Sequence, residues 1–230
     1  MVKKLLSIVL ALTFSAVGMA QGRIGTYSII PRIGVTYSNL TDDKMTFISA
    51  TSEETGNSKN LIGYTFGADV EYMITESAGI SMGVFYSQQG DKYSIYSSDK
   101  TSAESLKVEN DLNYINVPIF FNKYLGNTGI AIKAGIQQGF LIYNRVKYTE
   151  NDASYDKDGN MTHSSTESHS SKGSWKHYSL SIPVAISYEY QNVILEAKYA
   201  FGLLNVRDNG LSDNNRNMVF SITAGYRLEL

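Results

Sequence analysis

Apolar and polar residues alternate along most of the chain beyond residue 27, and the alternation recurs in eight separate segments. In the second segment, Ile62, Tyr64 and Phe66 are separated by Gly63 and Thr65. Successive side chains of a β-strand point to opposite faces, so each segment predicts a strand with one apolar face. The predicted strands cover residues 28–37, 62–72, 78–87, 115–121, 130–142, 178–190, 193–201 and 218–228.

The apolar faces carry no charged residue in their central part. A Lys or Arg in the middle of a lipid-facing stripe costs roughly 2 to 4 kcal/mol, so this pattern favours strands that cross a membrane. A soluble sandwich or lipocalin-like barrel alternates equally well, with its apolar face turned inward. Periodicity alone therefore leaves both architectures open.

The connections between the segments distinguish the two architectures. Long connections at 39–60, 88–111, 144–175 and 204–216 alternate with short ones at 74–77, 124–129 and 191–192. This alternation is typical of outer-membrane barrels, whose short turns face the periplasm. We therefore predict an all-β fold, an eight-stranded antiparallel up-and-down transmembrane β-barrel with both termini in the periplasm. In the connection 144–175, we predict a β-ribbon turning at Asp158-Gly159 and a flexible Ser-rich arm from Ser164 to Ser174.

The face opposite the apolar stripes carries four basic and four acidic residues. They are Arg32, Asp69, Glu71, Lys133, Glu189, Glu196, Lys198 and Arg227. An eight-stranded barrel is only wide enough to be filled by its own side chains. We expect these eight residues to form a structural charge cluster that blocks the lumen.

Two prolines interrupt the pattern, because Pro118 and Pro183 fall inside the fourth and sixth segments. Each removes a hydrogen bond from a ladder that has no free edge, so we expect a β-bulge at each. Leu112 and Tyr114 lie on the opposite parity from Ile115, which leaves two phases open for the fourth strand. Tyrosines near the strand ends suit the two membrane interfaces. They are Tyr27, Tyr37, Tyr64, Tyr72, Tyr86, Tyr190, Tyr199 and Tyr226.

The first twenty residues have the composition of a signal peptide. Lys3 and Lys4 precede an apolar run from residue 5 to 17, and Ala20 supplies a small residue for cleavage. We therefore expect a signal peptide at 1–20 and a barrel domain at 21–230. The chain has no Cys and a net charge of -2, which gives neither a lipoprotein anchor nor a basic surface for nucleic acid.

Three motifs resemble those of the PorT-like, porin-family outer-membrane β-barrel proteins. Residues 113–119 resemble that family's Y-[LI]-x-[IV]-P strand, residues 197–205 its Y-x-[YF]-G-L-x-N pattern, and residues 85–90 the end of its third strand. The resemblance implies an eight-stranded barrel in the outer membrane and transfers no catalytic residues. One departure is the C-terminus, where Leu230 replaces the aromatic residue that the barrel-assembly machinery reads.

Few residues suggest chemistry. His177 and Ser179, two apart on the inward parity of the sixth strand, could imitate the His-x-Ser pair of a lipid deacylase, but a lumen histidine held by hydrogen bonds is the expected role. His163 and His169, with Asp156 and Asp158, match no metal-binding spacing. We expect no catalytic residue, metal or cofactor.

The expected function is that of a non-enzymatic structural or partner-binding envelope component. Its expected partners are outer-membrane lipid, the barrel-assembly machinery and a surface or envelope protein, recognised through 88–111 and 144–175. We expect a monomer. The alternatives are a lipid-modifying enzyme and a soluble periplasmic ligand-binding barrel.

Overall fold

The computed structural model describes residues 24–41, 44–48, 53–98, 102–155, 161–208 and 215–230. The predicted signal peptide at 1–20 lies outside these residues. The strands are β1 (Tyr27–Leu40), β2 (Lys44–Ile48), β3 (Glu53–Thr75), β4 (Ala78–Ser98), β5 (Ser102–Tyr124), β6 (Ile130–Tyr155), β7 (Met161–Ser171), β8 (Tyr178–Tyr190), β9 (Val193–Asn205), β10 (Arg216–Tyr226) and β11 (Leu228–Glu229). A 3-10 turn spans Gly126–Thr128. Within the described ranges, no helix is long and apolar enough to cross a bilayer.

Eight of these strands close into one antiparallel ring, in the order β1, β3, β4, β5, β6, β8, β9, β10. The ring closes at β1, where Ile33 lies opposite Phe66 of β3 on one side and Ala224 of β10 on the other. Closure gives every ring strand a paired neighbour on both sides, so that no strand edge of the ring is left open in a membrane interior. The predicted eight-stranded up-and-down barrel is thereby confirmed.

The apolar stripes lie on the outside of the ring. Ile33 is 68% exposed and Ile62 is 72% exposed. Arg32, which precedes Ile33 on the same strand, is only 4% exposed. A soluble ligand-binding barrel requires the opposite arrangement, because its apolar faces form the core. Ala78, the first residue of the apolar face predicted for the third strand, departs from this arrangement. It is buried at the start of β4, next to a register shift between Met73 and Thr75.

The outward faces of β5 and β3 show the extent of the apolar band. On β5 the outward apolar positions run from Ile115 to Phe121, and exposed Lys123 follows them. Leu112 and Tyr114 are fully buried on the inner face, which settles the phase of this strand. On β3 the outward apolar positions run from Ile62 to Tyr72. These eleven residues, at about 3.3 Å per residue and a tilt of about 40°, rise about 28 Å, close to the height of about 25 Å of the apolar band on outer-membrane barrels.

Tyrosine marks both edges of this band. At the end with the short connections, which we call the turn end, Tyr27 packs against Tyr72 with ring centroids 4.8 Å apart. At the opposite end, the Tyr64 and Tyr86 rings are 5.6 Å apart. Tyrosine is favoured at both membrane–water interfaces because one part of the ring is apolar and its hydroxyl is polar.

At the end opposite the turns, four ring strands continue beyond the band and are joined there by β2 and β7. We call this region the β-extension; it comprises β2, residues 53–60 of β3, 88–98 of β4, 102–111 of β5, 144–155 of β6, and β7. Its inner face has a small core of Tyr93, Val108 and Val146. The interpretation of 88–111 as a loop is therefore wrong, since most of this segment is β-strand. The β-ribbon predicted in 144–175 is confirmed, because β6 and β7 pair antiparallel there.

The Ser-rich arm is also different from the prediction. Residues 161–171 form β7, which pairs with β6 from Val146↔Ser171 to Tyr155↔Met161. Ser and Thr tolerate an extended strand when the partner strand supplies the hydrogen bonds, and composition does not show that partner. The predicted turn at Asp158-Gly159 lies outside the described residues.

The prolines produce no bulge, so that prediction is wrong. Pro118 pairs with Gln137, and Pro183 pairs with Ala200, with the same register on both sides of each proline. On the other side of β5 and β8, the β4–β5 and β6–β8 ladders omit a few pairs beside the proline and then continue in the same register. The register shift in the β5–β6 ladder lies instead between Asn113 and Tyr114.

Candidate functional site in the barrel lumen

The charged residues nearest the turn end are grouped around Arg227, which lies between β10 and β11. Its Nη1 is 2.8 Å from Glu71 Oε2, and its Nε is 2.8 Å from Glu189 Oε1. Its Nη2 donates to the second oxygen of Glu189 at 3.0 Å. One guanidinium therefore joins β3 and β8 to the C-terminal strand from inside the barrel.

Two polar residues that the sequence prediction missed complete this group. Tyr124 donates its hydroxyl proton to Glu71 Oε1 at 2.7 Å and accepts a hydrogen bond from Arg227 Nη2 at 2.8 Å. Asn122 donates to the same Glu71 oxygen at 2.6 Å and to Ser81 Oγ at 3.1 Å. Their inward parity on β5, opposite Phe121 and Lys123, is the signal that could have identified them.

The second charge group lies farther from the turns, around Arg32 of β1. Its Nε is 2.6 Å from Asp69 Oδ2, and its Nη1 is 2.9 Å from Glu196 Oε2. Lys133 Nζ contacts the same Glu196 oxygen at 2.8 Å. This group connects β1, β3, β6 and β9 across the interior.

Lys198 is the one member of the predicted set without a carboxylate within ion-pair distance among the described residues. Its Nζ donates to Gln137 Oε1 at 3.2 Å and lies 5.6 Å from the centre of the Phe85 ring. The structure thus places all eight predicted residues in the lumen. Seven of them form the two ion-pair groups, and Lys198 lies beside them.

The balance of charge in these groups favours an interior that is filled by their side chains. Four positive and four negative side chains cancel, and each of the four carboxylates lies within ion-pair distance of at least one cationic side chain. Removing one partner of a buried ion pair leaves an uncompensated charge and costs about 3 to 5 kcal/mol. These side chains therefore connect the strands that they bridge.

On the side of the charge groups that faces the β-extension, the lumen narrows to a polar cavity of about 10 Å³. Gln89, Asn116, Gln137 and Asn217 line part of it. This volume holds about one water molecule. An apolar cap then closes the lumen on the side of the β-extension. It consists of Leu40, Leu112, Tyr114, Leu141, Trp175 and Val206.

Trp175 enters this cap from the segment that joins β7 to β8. A side chain at Gly173 would place its Cβ 2.3 Å from the indole Nε1 of Trp175. Glycine is therefore needed at this position for the indole to pack so close to the backbone. The cap and the charge groups together fill the lumen along its length.

The candidate pair of His177 and Ser179 does not form a site. His177 is exposed and precedes β8, so the expected role as a lumen histidine is wrong; its carbonyl accepts from the Leu141 amide at 2.8 Å. Ser179 lines the small lumen cavity, and its Oγ donates to Gly139 O at 3.4 Å.

His163 and His169 lie on β7, opposite Ser154 and Tyr148. Asp156 and Asp158 lie outside the described residues. No group of three or more potential metal-ligating His, Cys, Asp or Glu residues occurs in the described part of the chain.

Comparison with known proteins identifies the family. The family model described as "Outer membrane protein beta-barrel domain" matches residues 19–208. No curated protein sequence matches the chain.

Solved structures similar to the chain are outer-membrane and surface proteins of low identity. The attachment invasion locus protein Ail of Yersinia pestis is 14% identical, with a TM-score of 0.40, over 90% of this chain and 100% of that chain. Neisserial surface protein A is 13% identical, with a TM-score of 0.38, over 88% and 97%. OprG of Pseudomonas aeruginosa is 11% identical, with a TM-score of 0.35, over 90% and 98%. These similarities carry no argument about function, whereas the family match covers most of the chain. The chain belongs to the family of outer membrane protein beta-barrel domains.

Proposed function

We propose that this chain is a non-enzymatic outer-membrane protein of the PorT-like type, which presents the β-extension to a protein partner and passes no solutes. The observation that carries the proposal is the filled lumen. Eight charged side chains, a cavity of about 10 Å³ and an apolar cap occupy the path that a solute would take.

The β-extension supports the partner-binding part of the proposal. A closed barrel needs strands only as long as the membrane is thick, about 9 to 11 residues. β5 has 23 residues and β6 has 26, so about half of each strand serves something other than crossing the bilayer. A rigid sheet presents side chains at fixed positions, which suits recognition of a protein surface better than a mobile loop does.

We also propose that the termini and short turns face the periplasm, the β-extension faces the exterior, and an N-terminal signal peptide directs export. The barrel-assembly machinery then inserts the chain as a monomer into outer-membrane lipid. The order of short and long connections supports this orientation.

Conductance measurements test the closed lumen. We expect purified protein in planar lipid bilayers to show no steady ion conductance above that of the protein-free membrane. Steady, reproducible channel openings would contradict the proposal. Urea-unfolded protein added at the same concentration controls for nonspecific leakage.

Cysteine labelling tests the orientation, because the chain has no native Cys. In intact cells, a membrane-impermeant maleimide is expected to label Ser168→Cys in β7, whereas Ser77→Cys at the turn end is labelled only after the outer membrane is permeabilised. The reverse pattern would place the β-extension in the periplasm. Co-purification in mild detergent, with and without substitutions in β7, then tests for a protein partner.

A further inference from the structure

A pocket of about 170 Å³ lies at the mouth of the barrel, directly above the apolar cap. We call it the mouth pocket. Val108, Asn110, Val146 and Tyr148 line it from the inner face of the β-extension, and Trp175 and Arg207 line it from the opposite side. Mouths of β-barrels are among the places where small-molecule sites occur in proteins.

Arg207 gives the pocket its chemical character. Its guanidinium carbon lies 5.0 Å from the centre of the Trp175 ring, which is the geometry of a cation–π contact. The two residues also form an antiparallel β-bridge, and Trp175 is 6% exposed within the cap. The guanidinium therefore rests on a fixed aromatic surface.

Arg207 has no carboxylate within ion-pair distance among the described residues, although seven other ion-pair contacts occur there. The residues lining the mouth pocket include this one cation and no acidic side chain. A planar guanidinium that is already held in place binds a carboxylate through two parallel hydrogen bonds. The charge of the pocket thus favours an anionic ligand.

The opposite wall is largely apolar. Val108 and Val146 belong to the core of the β-extension, and Tyr148 packs against them. Pockets for drug-sized ligands have volumes of about 300 to 1,000 Å³, so this smaller pocket suits a body on the order of one ring. A free inorganic anion would leave the valine wall without a contact.

We propose that the mouth pocket binds a small organic carboxylate, with the carboxylate on Arg207 and an apolar body against Val108 and Val146. This site requires neither the proposed membrane orientation nor a protein partner. Binding to purified protein can therefore fail or succeed independently of the proposed function.

Trp175 offers a direct probe, because it is the only tryptophan in the chain. Purified protein in detergent micelles is titrated with benzoate while tryptophan emission is recorded, and the neutral isostere benzamide is titrated in parallel at equal ionic strength. We expect a saturable change in emission with benzoate and at least tenfold weaker binding of benzamide. A change that rises linearly, or that is equal for both compounds, would overturn the proposal.

Variants assign the signal to the pocket. Arg207→Gln is expected to weaken benzoate binding at least tenfold, and Arg207→Lys is expected to weaken it less, because the charge remains and the planar fork is lost. Arg216→Gln, at an exposed arginine of β10 outside the pocket, is the matched control and should bind as the parent does. Heat-modifiable migration on a gel confirms that each variant is folded. Equal benzoate binding by the parent and the folded Arg207 variants would exclude the mouth pocket as the site.

Discussion

At the residue scale, the lumen contains two kinds of charged side chain. Arg227 binds two carboxylates and a tyrosine hydroxyl. Lys198 instead contacts the amide oxygen of Gln137 and lies near an aromatic ring. Both are basic residues on inward-facing positions, and the sequence does not distinguish them. The difference arises from side-chain contacts between strands that are far apart in the chain.

Replacing Arg227 by Met is expected to lower the free energy of unfolding by about 3 to 5 kcal/mol, because Glu71 and Glu189 lose their shared partner inside the barrel. The folded and unfolded bands on an unheated gel, measured against urea concentration, provide the test. Arg216→Met, at an exposed position, should change the free energy by no more than about 0.5 kcal/mol. Equal effects of the two substitutions would contradict the assigned role of Arg227.

Replacing Lys198 by Met is expected to cost clearly less than the Arg227 substitution, about 2 kcal/mol at most. Arg32 and Lys133 still neutralise Glu196 in that variant. The same urea titration measures this difference. A loss as large as that of Arg227→Met would mean that Lys198 carries an ion pair that the geometry does not show.

At the element scale, the positions of the eight spanning strands could be predicted from sequence because lipid imposes an alternation of period two. Of the β-extension, only the β-ribbon in 144–175 could be predicted, from its Asp-Gly turn signal. The rest could not, since lipid does not touch its faces and Ser, Thr and charged residues are compatible with both loop and strand. The prolines show the converse limitation. Sequence shows that Pro118 and Pro183 remove a donor, but it does not show that the flanking ladder keeps its register.

The β-extension is expected to show protection from amide hydrogen exchange in its central strands. Residues 104–111 of β5 pair with β4 on one side and β6 on the other, whereas β7 pairs with β6 alone in the described structure. Mass-spectrometric exchange should therefore rank peptides of β5 above those of β7 in protection. Rapid exchange throughout 88–111 would restore the interpretation of this segment as a loop.

Replacing Pro118 by Ala is expected to change the free energy of unfolding by less than about 1 kcal/mol, since no bulge has to be removed. Urea titration of the folded band measures the change. A shift of several kcal/mol would indicate that the proline determines the register of β5.

At the scale of the whole molecule, the account depends on which side of the ring faces lipid. Outward apolar stripes, tyrosine at both edges of the band and a charge-neutral interior describe a protein that uses the membrane as solvent for its outer face. The same alternation turned inside out would describe a soluble barrel. The central claim is therefore that lipid contacts the outer face of the ring and not its inner face.

Nitroxide labels at four consecutive positions of β10 test that claim most directly. Single-cysteine variants at Ser221, Ile222, Thr223 and Ala224 are labelled and inserted into lipid vesicles, and collision of each label with dissolved oxygen, which concentrates in lipid, is measured. The account predicts high oxygen accessibility at Ile222 and Ala224 and low accessibility at Ser221 and Thr223. Reversed alternation, or equal accessibility at all four positions, would contradict it.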